Sequence, residues 1–526
     1  MGACTVDGPN GPTIESVEAM AGRFYAEMLT LVPAWKQRLS ADPGQLMPLE
    51  HEVQTAFSRG ADLLLAGLIA VVMKRPEFAV ASERTRDEFL QPLARGRERT
   101  IRVRLVGGLV MWVASLYCAP LRRPRQSADE VSGLYVELAQ FGFGKGVTPG
   151  LQSRVARQAA LCPSLELARQ ELLRTGVKLD VKTVRRITSQ CGAGLLRLRK
   201  HQLLLWRAGK LPAGTELRGK RVTVQIDGGR TKIRGSLRPK PPSAEKTDAD
   251  GLLLENAPGR SKKRPAQTFD ADWREPKLVT IFVHDEQGRM AKHSQATLEG
   301  TFLGPDALAE LVAMHLHRLG AAEALSITFA SDGATWIWDR VAKMVSAAKV
   351  GQVKIHEVLD CCHAAHHISL ALAALGLNET QRMPLYREHR KLLRNGQWRR
   401  VVEELSELAA DEPDNEKLQT EIAYLRKHGE AGRLSYAHFR SLGIPLGSGA
   451  IESSIRRVIN LRLKSNGMFW GEPQAETMLQ IRAQVISNRW DQRLNEMREL
   501  SRRDGRLDWK WEPQAMSCKS EPTLAT

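Results

Sequence analysis

Two acidic residues end stretches of sequence that alternate as strands do. In Val222–Asp227 the apolar positions are Val222, Val224 and Ile226. A period of two then puts Asp227 on the other face, beside Gln225. In Leu325–Asp332 the apolar positions are Leu325, Ile327 and Phe329, and Asp332 falls opposite them with Ala330. Gly follows each Asp. Open α/β sheets place ligands at the carboxyl ends of strands. A third acid, Glu452, lies one residue round from the apolar stripe Ile451, Ile455, Val458 and Ile459 and one helical turn before Arg456. Spacing alone reads Glu452 and Arg456 as an ordinary i,i+4 ion pair, worth about 0.2–0.5 kcal/mol. Brought together, three such carboxylates can hold two Mg²⁺ ions about 3.5–4 Å apart, activating a water or a DNA 3′-hydroxyl and stabilising the leaving oxygen.

The elements around these acids suggest a mixed sheet. Strand-like runs also occur at Leu278–His284 and Val353–Leu359, with helical patterns at 305–319 and 334–348. Strands first, then strand and helix in alternation, predict an α/β domain. Between the first two strands, 231–272 is basic and Pro-rich and reads as a mobile loop. From 364 to 440 the pattern is helical and highly charged, and a helix from Ile451 to Lys464 follows Gly447-Ser448-Gly449.

Upstream, Ser164 can cap a helix with Leu165, Ala168, Leu172 and Leu173 on one face. Gly176 breaks it, and Asp180 can cap a second helix with Val181, Val184 and Ile187 inward. Lys182, Arg185 and Arg186 stay on the open side. The pair reads either as a helix-turn-helix whose second helix enters a major groove or as a helical hairpin with a solvated face. Residues 1–100 read as helical. Leu105–Leu121, 17 uncharged residues with Gly107, Gly108 and Pro120, reads as a buried segment rather than a membrane span. Gly142–Gly146 lacks the Ser or Thr of a phosphate loop and reads as an ordinary loop.

The 526 residues carry a net charge of +18 and are 42% hydrophobic, which excludes wholesale disorder and points to a polyanionic partner. Nucleic acid is the commonest such partner and a membrane surface the rival. The seven cysteines are scattered without a C-x-x-C pair, which suits a reducing cytoplasm and neither a disulfide framework nor a zinc site. The N-terminus lacks the pattern of a signal peptide.

Four stretches resemble insertion-sequence transposases of the ISKra type, relatives of the Mutator-like DDE group. They are Val224-Gln225-Ile226-Asp227-Gly228-Gly229, Ser331-Asp332-Gly333-Ala334-Thr335-Trp336-Ile337, Val358-Leu359-Asp360-Cys361-Cys362-His363-Ala364 and Gly443–Ser453, the last continuing to Arg462-Leu463-Lys464 and Gly467-Met468-Phe469-Trp470. The resemblance covers roughly residues 100–490, and the segment before Glu452 is its most specific stretch. It implies a multidomain α/β fold, with an RNase H-like core interrupted by a helical insertion and preceded by a mainly helical region with a helix-turn-helix. It divides the chain into 1–124 (helical), 125–215 (helix-turn-helix), 216–367 (first part of the core), 368–442 (insertion), 443–500 (final helices) and 501–526 (disordered tail).

The same resemblance makes Asp227, Asp332 and Glu452 the catalytic triad and the ligands of Mg²⁺, with Mn²⁺ as substitute. Asp360 and His363 are then a supporting motif. It implies binding to double-stranded DNA, both the element's terminal inverted repeats and the target. A homodimer or larger assembly on DNA, no membrane, and the nucleoid-associated cytoplasm of a bacterium complete the expectation. Cys118 stands alone where the family often carries a cysteine pair, so no zinc is expected. Cys361 and Cys362 read as small buried side chains, and His363, His366 and His367 as residues lining a helix start. Arg456 is expected to face the acids, with Arg457, Arg462 and Lys464 toward flanking DNA. Trp470 reads either as a stacking platform for an unpaired base or as packing. The competing functions are a domesticated DNA-binding protein without catalysis and an RNase H-like structure-specific nuclease.

Overall fold

The computed structural model describes residues 4–89, 92–121, 133–144, 146–238, 268–410, 412–464 and 468–504. The fold is mixed α/β with several sheets.

The N-terminal part contains β1 (Cys4–Val6), α1 (Val17–Ala41), α2 (Leu46–Met73), α3 (Pro76–Asp87), β2 (Leu93–Arg104), β3 (Val110–Pro120), β4 (Leu134–Tyr135) and α4 (Val136–Gln140). The described residues up to 87 are mainly helical, as expected, but the expectation of helix over 1–124 is corrected for its last part, where β2 and β3 form a sheet. β3 is the centre of an antiparallel sheet, pairing with β1, β2 and β4. The apolar Leu105–Leu121 segment is largely buried, but as the turn and second strand of a hairpin. Buried Asp62 on α2 accepts the backbone N–H groups of Gly107 and Leu109, both at 3.0 Å, and so fixes that hairpin's turn. By length and composition alone, the helical stretch Pro43–Met73 could cross a membrane; 44% of its apolar window is buried inside this fold.

Next come α5 (Pro149–Leu161), α6 (Leu165–Arg174) and α7 (Val181–Arg207). Ser164 and Asp180 cap α6 and α7 by accepting the N–H groups of Leu167 and Thr183. Gly176 turns the chain between them at φ +83°, a conformation that glycine adopts without strain. Val155, Ala159, Ala168, Leu172, Val184 and Ile187 form their shared core. The far half of α7 packs on the C-terminal helices. There, buried Arg199 pairs with Glu476 at 2.6 Å and Glu299 at 3.4 Å, and His315 meets Glu299 at 3.1 Å. Cutting one partner from such a buried network strands an unpaired charge, so this network ties α7 to the domain that follows.

That domain holds β5 (Arg221–Gly228), β6 (Thr231–Arg238), β7 (Thr268–Arg274), β8 (Lys277–Val283), β9 (Thr297–Thr301), α8 (Pro305–Leu319), β10 (Ser326–Ser331), α9 (Thr335–Ala347) and β11 (Lys354–Leu359). Its main sheet runs β11-β10-β5-β8-β9. β5, β8 and β9 are antiparallel, whereas β10 lies parallel to both β5 and β11. Both faces are covered, which is why β8 is buried along its whole length. The basic stretch 231–272 is not a loop at its ends: β6 and β7 form a separate hairpin with an irregularity between Arg234 and Leu237. Residues 239–267 of that stretch lie outside the described residues.

Helices α10 (Cys361–Ala374), α11 (Glu379–Arg394), α12 (Trp398–Leu408), α13 (Glu416–Glu430) and α14 (Tyr436–Ser441) pack against one edge of the sheet's core. The chain then returns through α15 (Gly449–Ile455), which runs on as a π-helical stretch over Arg456–Asn460. α16 (Glu472–Ile486) and α17 (Trp490–Asp504) cover the other face. From residue 505 the expected tail falls outside the described residues.

Candidate active site

The sheet register brings three aspartates to one edge. Thr328 of β10 sits opposite Thr223 of β5 and His356 of β11. Carrying both registers to the strand ends sets Asp332 beside Asp227 on one side and Asp360 on the other. Ser331 locks the three ends together: its hydroxyl accepts the N–H of Ile226 at 3.1 Å and its carbonyl accepts that of Asp360 at 2.9 Å.

Asp227 and Asp332 are alike in environment. Each has one carboxylate oxygen accepting a single backbone N–H, from Gly228 at 2.6 Å and Ala334 at 3.1 Å. Burial, then the charge of Asp332, pushes Asp227 up to about 6. Burial also raises Asp332, with Glu275 adding repulsion. Glu275, in the β7–β8 turn, is tied to Lys277 at 2.6 Å. His363 and, for Asp332, Lys277 offset only part of that charge, so the pair sits as close carboxylates in a site only partly open to water, a setting that favours a bound cation.

Asp360 is different. Its Oδ1 accepts the N–H groups of Cys362 at 2.7 Å and His363 at 2.9 Å, capping α10, and its Oδ2 accepts both the N–H and the hydroxyl of Ser448. It is 2% exposed. Despite that burial, the His363 ring beside it and the Ser448 bonds hold its carboxyl well below the usual carboxylate range. With its oxygens so engaged, Asp360 is suited to fastening the chain.

What it fastens is the segment bearing Glu452. Gln225 grips that segment too: its amide donates to the Gly447 carbonyl at 2.8 Å and its oxygen accepts the Ile451 N–H at 3.0 Å. Ser448 then donates to Glu452 at 3.2 Å. Ligand atoms of Asp360, His363 and Glu452 all lie within 4.8 Å of one another. Asp227 and Asp332 are not in that tight group. His363 joins the two halves: Asp360, 3.4 Å away, raises its pKa, and the charges of Asp332 and Glu452 add to the effect.

The helical cap supplies Tyr424, which the sequence did not single out. Its ring stacks on His367 at 3.6 Å, and its buried hydroxyl has no partner among the described residues. It lies so close to Gly333 that any side chain there would collide with it. Cys362 is exposed and Cys361 half-buried, so the expectation of two buried cysteines is corrected.

The expected DNA-contacting residues divide. Lys182, Arg185 and Arg186 lie exposed on the first turns of α7, and Arg456, Arg457 and Lys464 are exposed as well. Arg462 is not a surface cation. It is 2% exposed, donates to the Ala159 carbonyl at 3.2 Å and places its guanidinium 5.0 Å from the Trp470 ring centre. Trp470 is half-buried and bridges to β6 through its backbone. Both act in packing, which corrects the DNA-contact expectation for Arg462 and favours packing for Trp470. An exposed aromatic close to these residues is Trp273, 49% accessible, with Lys232, Arg230 and Lys464 at 5.1, 5.8 and 6.0 Å from its ring centre. A second group missed in the sequence is Arg102 and Arg104 of β2. With Lys178, Asp180, Thr183 and Arg186 they line a cavity of about 380 Å³ beside the start of α7.

Compared with protein-family models, curated proteins and solved structures, the chain gives no match.

Proposed function

We propose that this chain is a DDE-type DNA transposase that binds the ends of its element and performs cation-dependent strand cleavage and strand transfer. The observation that carries this reading is the strand-end pair Asp227 and Asp332, with raised pKa values, on one rim with a Glu452 segment clamped by Gln225 and Asp360. The strand order supports an RNase H-like reading of the sheet: an antiparallel three-strand unit extended by two parallel strands, with acids on the first and fourth. The helical cap lies between the second acid and the third, and α6–α7 read as a helix-turn-helix.

Hard carboxylate oxygens suit Mg²⁺ or Mn²⁺, and Asp227, Asp332 and Glu452 would hold it. When bound, such ions activate the attacking oxygen and stabilise the leaving one. The chain's own residues do the rest. Asp360 and Gln225 set the position of Glu452, and His363 balances charge between the carboxylates. Lys182, Arg185 and Arg186 of α7 address a major groove. Two ends must be brought together for transfer, so the working form on DNA is a dimer or larger, acting in the bacterial cytoplasm at the nucleoid.

A strand-transfer assay on DNA flanking the gene tests this. Metal-dependent joining of 3′ ends at defined positions is the expected result. Binding without cleavage would instead indicate a domesticated binding protein, and cleavage without joining a nuclease.

Two narrower outcomes follow. R185E/R186E weakens binding to the element end at least tenfold more than binding to random duplex, because base-edge contacts are worth about 1–3 kcal/mol each. Equal losses, measured by fluorescence anisotropy, reduce α7 to phosphate contacts. Trp273→Ala weakens binding of single-stranded DNA by roughly five- to a hundredfold with little change for duplex, since stacking is worth about 1–3 kcal/mol per base. Trp273→Phe retains most of the affinity. A loss shared equally by duplex and single strand removes the stacking role.

A further inference from the structure

The helical cap carries a groove of about 320 Å³ lined by Arg387, Arg390, Lys391, Arg394, Asn395 and Arg440. All five cations are exposed. None forms an ion pair among the described residues, whereas Arg400 on the next helix pairs with Glu404 at 2.7 Å. Four of the cations occupy positions i, i+3, i+4 and i+7 of α11 and so share one face. Like charges at these spacings repel one another and weaken the helix. No carboxylate lines the groove to relieve them. Such a stripe is adapted to an anion with charges repeated along its length.

The groove is anchored close to the acids. Arg440 on α14 donates to the Arg394 carbonyl at 3.1 Å and so joins α14 to α11. Tyr436, one turn earlier on α14, donates its hydroxyl to the carbonyl of Leu359 at 2.9 Å. Leu359 is the last residue of β11, immediately before Asp360. Cys361, just after Asp360, is within reach of the charges of Arg394 and Arg390. A polyanion lying in the groove would pass beside the strand-end rim.

We propose that this groove binds the phosphate backbone of duplex DNA as it runs to the carboxylate site, making α11 and α14 a DNA-holding surface separate from α7. The proposal rests on the DNA-transposase reading and deepens it.

The test uses the full chain without divalent metal, so binding is read independently of catalysis. Binding of a labelled duplex is followed across a salt series for wild type, R387Q/R390Q/R394Q and a control, K417Q/R426Q/K427Q, that removes the same charge elsewhere on the cap. Each phosphate contact contributes a slope of about 0.9 in log affinity against log salt. The groove variant is expected to lower the slope by about two to three and the control to leave it within about half a unit. Equal slopes for wild type and the groove variant, equal losses in the two variants, or no duplex binding by wild type would each overturn the proposal. Thermal melting checks the fold: the groove variant should melt at or above the wild-type temperature, because it relieves repulsion. A lowered slope together with absent strand joining would keep the groove as a DNA site and discard the transposase reading.

Discussion

If the chain is the proposed transposase, Asp227→Asn, Asp332→Asn and Glu452→Gln are each expected to reduce metal-dependent strand cleavage by at least about a thousandfold, with binding to duplex DNA staying within about twofold. The asymmetry follows from geometry, because Asp227 and Asp332 sit at the strand ends and Glu452 on α15 beside Asp360 and His363, none of them on α7. The same substitutions carry a stability signature that does not depend on turnover. Asp227 is raised to about 6 from its ordinary 3.8. A group raised in the folded state contributes stability below its unfolded pKa and loses that contribution as pH climbs through the folded value. Between pH 4 and 6 the shift amounts to about 3 kcal/mol as an order of magnitude. Above pH 7, metal-free Asp227→Asn is therefore more stable than wild type by a few degrees in thermal melting. Mg²⁺ or Mn²⁺ should stabilise wild type and stabilise Asp227→Asn much less. A variant that is inactive yet destabilised at pH 8 would point to a structural role for the carboxylate.

Asp360→Ala is the most damaging single change next to the rim. It leaves the N–H groups of Cys362, His363 and Ser448 without their acceptor. The Ser448 N–H is buried and the other two only partly so; a buried orphan costs about 1–3 kcal/mol, so the loss is about 2 kcal/mol as an order of magnitude. Cleavage should fall with it because the Glu452 segment loses its anchor. Asp360→Asn keeps one acceptor oxygen and lies between the two. As a positioning residue, Asp360 should affect turnover far more than DNA affinity. The Mn²⁺ affinity of Asp360→Asn should also fall although Asp227 and Asp332 are untouched. The pH dependence has the opposite sign to that of Asp227. Asp360 is depressed, so its contribution is present above the ordinary carboxylate range and is lost as pH falls through its own low value. His363 is raised, so its part is full below its unfolded value of 6.5 and fades as pH rises through the folded one.

The sheet that carries the acids was legible because β5 and β10 alternate apolar with polar or small residues, Val222, Val224 and Ile226 in one and Ile327 and Phe329 in the other, even though both strands are buried on both faces. The N-terminal sheet was not. β2 carries arginines at 95, 97, 99, 102 and 104, and a register shift between Arg95 and Glu98 breaks the alternation. A charged run with broken period resembles the solvated face of a helix. The inward turn of Arg462 was hidden for a related reason: the π-helical stretch Arg456–Asn460 interrupts the 100° step on which a helical wheel depends. Asp360 could be named from its motif, but its four-bond environment could not, since Ser448 lies 88 residues away. Gln225 was already placed beside Asp227 by its period, and only the fold revealed its grip on Gly447 and Ile451. Tyr424 left no signal in spacing, because it reaches the site only through the packing of α13 against Gly333.

Anomalous diffraction from crystals of the protein bound to element-end DNA and grown with Mn²⁺ locates the metal site. Two peaks about 3.5–4 Å apart, held between Asp227, Asp332 and Glu452, with Asp360 still bonded to Ser448, are the expected result for a DDE transposase. A single peak held by Asp360, His363 and Glu452, with Asp227 and Asp332 uncoordinated, would contradict it.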